Sequence, residues 1–243
     1  MTSGSNFKEI DLPSIRIVRT TPKISRQELF SNKRCYFGIS LDNPGFYGKS
    51  LQALLLWGIG NFDQCLVVIG DYLRRYNERI LNGLDDKQAA KVTHALGDSF
   101  MVKAGGFFQQ LPAKRVTVTR WETCLKTPEY KKAKAAIDDL FATNQEFRAA
   151  VEKDAFAFIR RQTKRNRKLA VSPEEAVELS CRYLLEEIAV FSALSEQGWK
   201  VELYPGPELY VLVEIAKGDF QDIPRGLKQR INVELKICRT GTE

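Results

Sequence analysis

The sequence predicts an α/β protein: a single-domain, Rossmann-like parallel sheet flanked by helices. Strand-like and helix-like segments alternate along the 243 residues, which is the pattern of a parallel sheet with helical crossovers. Cys65-Leu66-Val67-Val68-Ile69 is apolar on both faces, as a central parallel strand is. No repeat, low-complexity tract or long linker divides the chain, so residues 1–243 read as one domain.

The predicted strands are Ile15–Arg19, Cys35–Ile39, Cys65–Ile69, Val116–Arg120, Trp199–Tyr204 and Val233–Cys238. Helices fill the gaps. Ser50 to Trp57 is nearly all apolar and is expected to pack on the sheet. Lys87 to Gln110 is longer and more polar, with Gly105-Gly106 expected to interrupt it. Pro128 to about Arg165 carries Ile137, Leu140, Phe141, Phe147, Val151, Phe156 and Ile159 at roughly helical spacing. The next helix starts at Ser172-Pro173-Glu174-Glu175: Ser172 can cap, Pro173 fits the first turn, and Glu175 completes a capping box. It runs through Tyr183 and Glu187 to about Ser195.

Composition excludes several classes. At 44% hydrophobic and 28% charged the chain reads as soluble and globular, and it holds no apolar run of about 18 residues to span a membrane. Met1-Thr2-Ser3-Gly4-Ser5 leads into no apolar segment, so no signal peptide is expected. Five scattered cysteines without C-x-x-C spacing read as buried, reduced thiols of a cytoplasmic protein. One histidine and dispersed cysteines offer no metal cluster, and no cofactor is expected.

The net charge is +7 and unevenly spread. Arg160-Arg161-Gln162-Thr163-Lys164-Arg165-Asn166-Arg167-Lys168 contains no acid. Such a run suggests a polyanionic partner, the alternative being a solubilising helix end. Nucleic acid suits it better than anionic lipid, because no strongly apolar face accompanies it.

Ser40 is the leading candidate for chemistry. It closes the apolar run Cys35-Tyr36-Phe37-Gly38-Ile39 and precedes the turn Leu41-Asp42-Asn43-Pro44-Gly45. A serine between strand and helix lies at the mouth of an open α/β sheet, where such folds bind ligands. The single histidine, His94, is far away on a mostly polar helical stretch. A Ser-His-Asp triad would have to recruit it without any local signature. If Ser40 is a nucleophile, its substrate arrives already activated.

Tyr183 and Glu187 are four apart on one helix face and together could bind an amine and shuttle its proton. From spacing alone, a core tyrosine beside a solvated glutamate is the simpler reading. Two motifs fail. Gly48-Lys49-Ser50 lacks a phosphate loop's earlier glycine, since position 43 is Asn43. Gly58-Ile59-Gly60 has Asp63 where a dinucleotide fingerprint needs its third glycine, and it follows a helix.

The chain resembles the cyclodipeptide synthases, which join two aminoacyl-tRNAs into a diketopiperazine. The resemblance rests on Phe37-Gly38-Ile39-Ser40-Leu41-Asp42-Asn43, Leu54-Leu55-Leu56-Trp57, Val67-Val68-Ile69-Gly70-Asp71, Thr127-Pro128-Glu129-Tyr130, Tyr183-Leu184-Leu185-Glu186-Glu187 and Leu203-Tyr204-Pro205. It spans about positions 33–220, in order. It implies a fold similar to class I aminoacyl-tRNA synthetases of the tyrosine and tryptophan type, without their ATP signatures. It also implies a ping-pong mechanism through an aminoacyl-enzyme on Ser40. An aminoacyl ester is already activated, which accounts for the missing base.

By the same resemblance Tyr183 and Glu187 would hold the α-amino group, and Tyr204 would position the aminoacyl group and relay protons in ring closure. Asn43 would order the Ser40 loop, and Tyr130 would support the site. The first side chain would sit among Tyr36, Gly38, Val68, Trp121, Val190 and Glu202, with an apolar residue the default and Glu202 able to select a basic one. The pairing of Asn43 with Pro205 matches neither branch of the family in full. The best-known members carry many arginines on the helix at about 85–110. Here that segment offers Lys87, Lys91 and Lys103, which shifts the expected tRNA contact to Arg160, Arg161, Lys164, Arg165, Arg167 and Lys168. The residues leave two rivals open: a non-catalytic tRNA-binding module, and a serine hydrolase that deacylates aminoacyl-tRNA. They do not distinguish a monomer from a homodimer.

Overall fold

Alternation along the strands decides which residues face which layer of helices. The computed structural model describes residues 11–165 and 167–238; Met1–Ser5 and Asn166, part of the readings above, lie outside them. The chain runs β1 (Ser14–Thr21), α1 (Arg26–Ser31), β2 (Arg34–Ile39), α2 (Gly48–Asn61), β3 (Gln64–Ile69), α3 (Arg75–Asn82), α4 (Asp86–Phe108), β4 (Val116–Arg120), α5 (Trp121–Leu125), α6 (Pro128–Thr143), α7 (Gln145–Lys164), α8 (Pro173–Glu196), β5 (Val201–Tyr204), α9 (Tyr210–Lys217), α10 (Arg225–Gln229) and β6 (Ile231–Cys238).

The strands form one six-stranded sheet ordered β1-β6-β5-β2-β3-β4. From β6 to β4 every pairing is parallel, but β1 runs antiparallel to β6. The wholly parallel sheet expected from the sequence is therefore corrected at one edge. β1 alternates exposed and half-buried residues, and an edge strand wetted on one face can take antiparallel pairing, whereas inner parallel strands are covered on both faces.

Odd-numbered side chains of the inner strands, among them Cys35, Phe37, Ile39, Val67, Leu203 and Val233, form one core with Leu51, Leu54 and Leu55 of α2 and Phe100 of α4. Even-numbered ones, Tyr36, Leu66 and Val68, join a second core with α6, α7 and α8. Helix α8 is the spine of that second layer, buried at every position from Ile188 to Ser195. Four of the free cysteines, Cys35, Cys65, Cys124 and Cys181, are buried, and among the described residues no helix is long and apolar enough to cross a membrane.

Helix boundaries follow local chemistry. Asn144 divides the predicted Pro128–Arg165 helix in two: its extended backbone ends α6, and its side chain accepts the Phe147 N–H at 2.9 Å to cap α7. Helix α4 runs uninterrupted through Gly105-Gly106 to Phe108; two glycines lower helix propensity but break no ladder bond. Asp85 and Gln88 form a capping box at its start. At α8, Ser172 accepts the Glu175 N–H at 3.2 Å, and only this half of the expected box is present.

Two glycines mark close approaches. A Cβ on Gly58 would lie 2.9 Å from a Phe37 ring carbon, so this glycine packs α2 onto the sheet. A Cβ on Gly226 would lie 2.0 Å from the Ser192 carbonyl oxygen, where only backbone could yield. Gly226→Ala should cost about 1–3 kcal/mol, read as a lower urea midpoint. Gly105→Ala meets no atom within 4 Å among the described residues and should add about 0.5–1 kcal/mol of stability, read as a higher midpoint.

Candidate active site

The strand order places a crevice where the sheet changes direction: from β2 the chain moves to β3 and β4 on one side, then returns to lay β5 on the other. Ligands in open α/β sheets bind at such switch points, beyond the carboxyl ends of the strands. Ser40 follows β2 and Tyr204 ends β5, so both arrive at this edge. A cavity of about 550 Å³ opens there, lined by Ser40, Asn43, Tyr183, Glu187, Glu202 and Tyr204 among others.

The Ser40 turn is held from three sides. The Asn43 N–H bonds the Ser40 carbonyl at 3.1 Å. The Asn43 side-chain amide donates to the Tyr204 hydroxyl at 3.4 Å and to the Pro205 carbonyl at 3.3 Å, while its carbonyl accepts the Gly45 N–H at 2.9 Å. Asp42 pairs with Arg74, which also bonds Glu78 at 2.8 Å. Asn43 and Pro205, the pairing that matched neither family branch, therefore meet directly, with Pro205 using its backbone.

Helix α8 presents Ser180, Tyr183, Leu184 and Glu187 to the cavity, the i, i+3, i+4 and i+7 positions of one face. The adjacent Glu186 points elsewhere. It takes two bonds from Arg75, at 2.9 and 2.5 Å, one from the Trp121 indole at 3.0 Å and one from the Tyr76 hydroxyl at 3.1 Å. Among the described residues Glu187 has no such cation. Burial, then the charge of Glu202, raises its carboxyl from 4.5 to about 8, while Arg230 and the Tyr183 hydroxyl act in the opposite sense. Burial likewise pushes the Tyr183 and Tyr204 phenols up, so both remain protonated donors near neutral pH. A carboxyl balanced near neutrality can bind an ammonium and accept its proton.

The side-chain pocket inferred from the sequence is only partly assembled. Gly38, Trp121 and Glu202 line the cavity, as does Phe191, which the sequence reading missed. Tyr36, Val68 and Val190 are fully buried in the core behind it. Tyr130 does not reach the cavity wall; it packs against the second core. Glu202 is not a free acid awaiting a base. It accepts from Arg230 and, at 3.1 Å, from the Tyr36 hydroxyl. Asp154 was also missed: it lines the cavity and accepts the Tyr210 and Val211 N–H groups at 3.1 and 2.9 Å, tying α7 to the start of α9. His94 lies outside the cavity lining, 3.9 Å from Glu122.

At the mouth, Arg161, Arg165 and Arg167 line the cavity, and these with Arg160, Lys164 and Lys168 are exposed. Lys87, Lys91 and Lys103 are exposed on α4. Among the described residues no group of three His, Cys, Asp or Glu side chains could hold a metal.

The fold and this crevice define a Rossmann-like α/β enzyme. A family model for cyclodipeptide synthases matches residues 18–196, and the chain belongs to that family of tRNA-dependent aminoacyltransferases. Among solved structures it is similar to a cyclodipeptide synthase from Fluoribacter dumoffii, with 21% identity over 93% of this chain and 97% of that one and a TM-score of 0.78. A Mycobacterium tuberculosis cyclodipeptide synthetase, described as related to type I tRNA synthetases, aligns at 14% identity over 94% and 98%, with a TM-score of 0.69. A cyclodipeptide synthase from Candidatus Glomeribacter gigasporarum, bound to Phe-tRNAPhe, aligns at 15% over 90% and 93%, with a TM-score of 0.61. No curated protein sequence matches the chain.

The raised carboxyl gives a stability test. Below about pH 4.5 Glu187 is protonated folded and unfolded, so it costs nothing. As pH rises the unfolded chain ionises first, and the cost accumulates until about pH 8. Glu187→Gln should therefore leave Tm unchanged near pH 4 and raise it increasingly toward pH 8, as the stability difference grows by at most about 1.4 kcal/mol per pH unit. A Tm difference independent of pH would show that Glu187 is not held protonated.

Proposed function

We propose that this enzyme builds a cyclic dipeptide by a ping-pong route through an aminoacyl ester on Ser40. The observation that carries the reading is the convergence of Ser40, Tyr183, Glu187 and Tyr204 on one cavity that His94 does not line. A serine without a strong base is adequate when the substrate is itself an activated ester. Ser40 Oγ attacks the aminoacyl carbonyl of the first aminoacyl-tRNA, the carbon–ribose oxygen bond breaks, and the serine proton ends on the departing ribose hydroxyl.

Tyr183 and Glu187 hold the α-amino group, and Glu187, poised near neutrality, takes up the proton that the amine must lose before it attacks. A second aminoacyl-tRNA supplies the other residue. One amide bond forms as the second ribose ester breaks, and the other forms as the Ser40 ester breaks, which closes the ring and returns the serine. Tyr204, fixed by Asn43 at 3.4 Å, positions the acyl group and relays a proton to the departing Ser40 oxygen. Asn43 sets the turn, and Tyr130 supports the site from the core behind it. Aminoacyl-tRNA as substrate places the enzyme in the cytoplasm.

Incubation with a labelled aminoacyl-tRNA should leave label on the protein, and Ser40→Ala should abolish both label and cyclic product. Retained labelling in Ser40→Ala would overturn the nucleophile assignment.

The acceptor stem reaches the cavity past Arg160, Arg161, Lys164, Arg165, Arg167 and Lys168. Each phosphate contact releases counterions, so affinity should fall with salt at a slope of roughly 0.7–0.9 per contact. Replacing Arg160, Lys164, Arg165 and Arg167 by Gln should weaken tRNA binding and flatten that slope. Acylation from a small activated aminoacyl ester should be largely spared. Replacing Lys87, Lys91 and Lys103 should do less; a larger effect from the lysines would place the tRNA on α4 instead.

A further inference from the structure

The floor of the cavity is polar where a sheet face is normally apolar. In β5 and β6 the odd positions Val201, Leu203, Val233 and Leu235 are buried hydrophobics of one core. Below Tyr204, the even positions facing the cavity are Glu202 and Asn232, which are register partners across the two strands. Both are buried, at 3% and 2% exposure. Arg230 bridges Glu202 to Glu208, whose side chain is only 1% exposed, and the guanidinium lies 4.9 Å from the centre of the Phe191 ring. The bonds that Glu202 takes from Arg230 and Tyr36 all fall on its Oε2.

Buried polar atoms are left over on four residues that line the cavity, Gln162, Ser180, Glu208 and Asn232, and the last two belong to this floor. Glu208 Oε2 and Asn232 Nδ2 are buried and, among the described residues, have no hydrogen-bond partner. A buried polar atom without a partner costs free energy that a ligand can recover. One orphan is an acceptor and the other a donor. An apolar side chain would bury both unpaired. A cationic one could answer Glu208 but would set a positive charge before an amide donor and beside Arg230.

We propose that this floor is a side-chain subsite for an uncharged residue that both donates and accepts hydrogen bonds, namely a carboxamide or a neutral imidazole. The inference rests on the proposed aminoacyl transfer and replaces the expectation of an apolar or basic residue with a specific polar class. The substrate side chain donates to Glu208 Oε2 and accepts from Asn232 Nδ2. Arg230 is a positioning residue: it holds Glu208 and Glu202 in place.

The experiment supplies the purified enzyme with bulk tRNA charged with single amino acids and with pairs, and reads products by mass spectrometry. Cyclic dipeptides containing glutamine, asparagine or histidine are expected. Asn232→Leu should reduce them about tenfold relative to apolar products, as loss of a buried hydrogen bond predicts, and Glu208→Gln should also lower them. Product made only from apolar or only from cationic residues would overturn the subsite while leaving cyclodipeptide synthesis intact. No cyclic product from any charged tRNA would overturn both. Should Asn232→Leu fail to fold, the wild-type product spectrum decides by itself.

Discussion

The site depends on the rotation of α8, and the Glu186 clamp sets that rotation. Its carboxylate takes two bonds from Arg75 and further ones from Trp121 and Tyr76. Arg75 in turn lies between the Tyr72 and Tyr76 rings, 4.1 and 4.2 Å from their centres. A buried ion pair repays its desolvation only when every lone pair and proton is used, and here nearly all are. Successive helix residues are about 100° apart, so pinning Glu186 toward α3 and α5 turns Glu187 into the cavity. One structural carboxylate thereby aims a functional one.

The contrast between these neighbours explains their chemistry. Glu186 is matched to a cation, while burial and the charge of Glu202 raise the Glu187 carboxyl to about 8. Glu202 is intermediate: it is paired with Arg230, yet burial outweighs that cation and leaves its carboxyl raised. At the floor one cation, Arg230, is shared by two acids, Glu202 and Glu208, whereas beside Ser40 an ammonium would bring the cation that Glu187 lacks among the described residues.

Much of this was legible in the sequence. All six strands fall where alternation and apolar runs put them, because strand burial has a period of two that tertiary contacts do not alter. Ser40 was legible as the residue after a strand, and Tyr183 with Glu187 as one helix face. What escaped depended on contacts distant in the chain. Glu202 looks like a free acid until Arg230, 28 residues on, is seen against it. Asn144 was hidden inside a hydrophobic period that continues across two helices, although its capping chemistry was a readable signal. The polar floor was also readable: Glu202 and Asn232 occupy alternate positions between buried aliphatics in two strands, a pattern that a solvent-facing sheet would also show. Only the helices over that face turn it into a pocket.

The same topology explains why one cavity can serve ester chemistry and side-chain choice at once. Parallel strands deliver their carboxyl ends to one edge, so Ser40 after β2 and Tyr204 at the end of β5 meet without any special loop. One turn of alternation deeper, the same strands present Gly38 and Glu202. A Cβ at Gly38 would touch Glu202 at 3.6 Å, so the glycine leaves open the passage between the reacting hydroxyl and the polar floor. Reaction and recognition are therefore stacked along the strand direction. A change at Asn232 can alter which residue enters while the Ser40 turn, held by Asn43 from above, keeps its geometry.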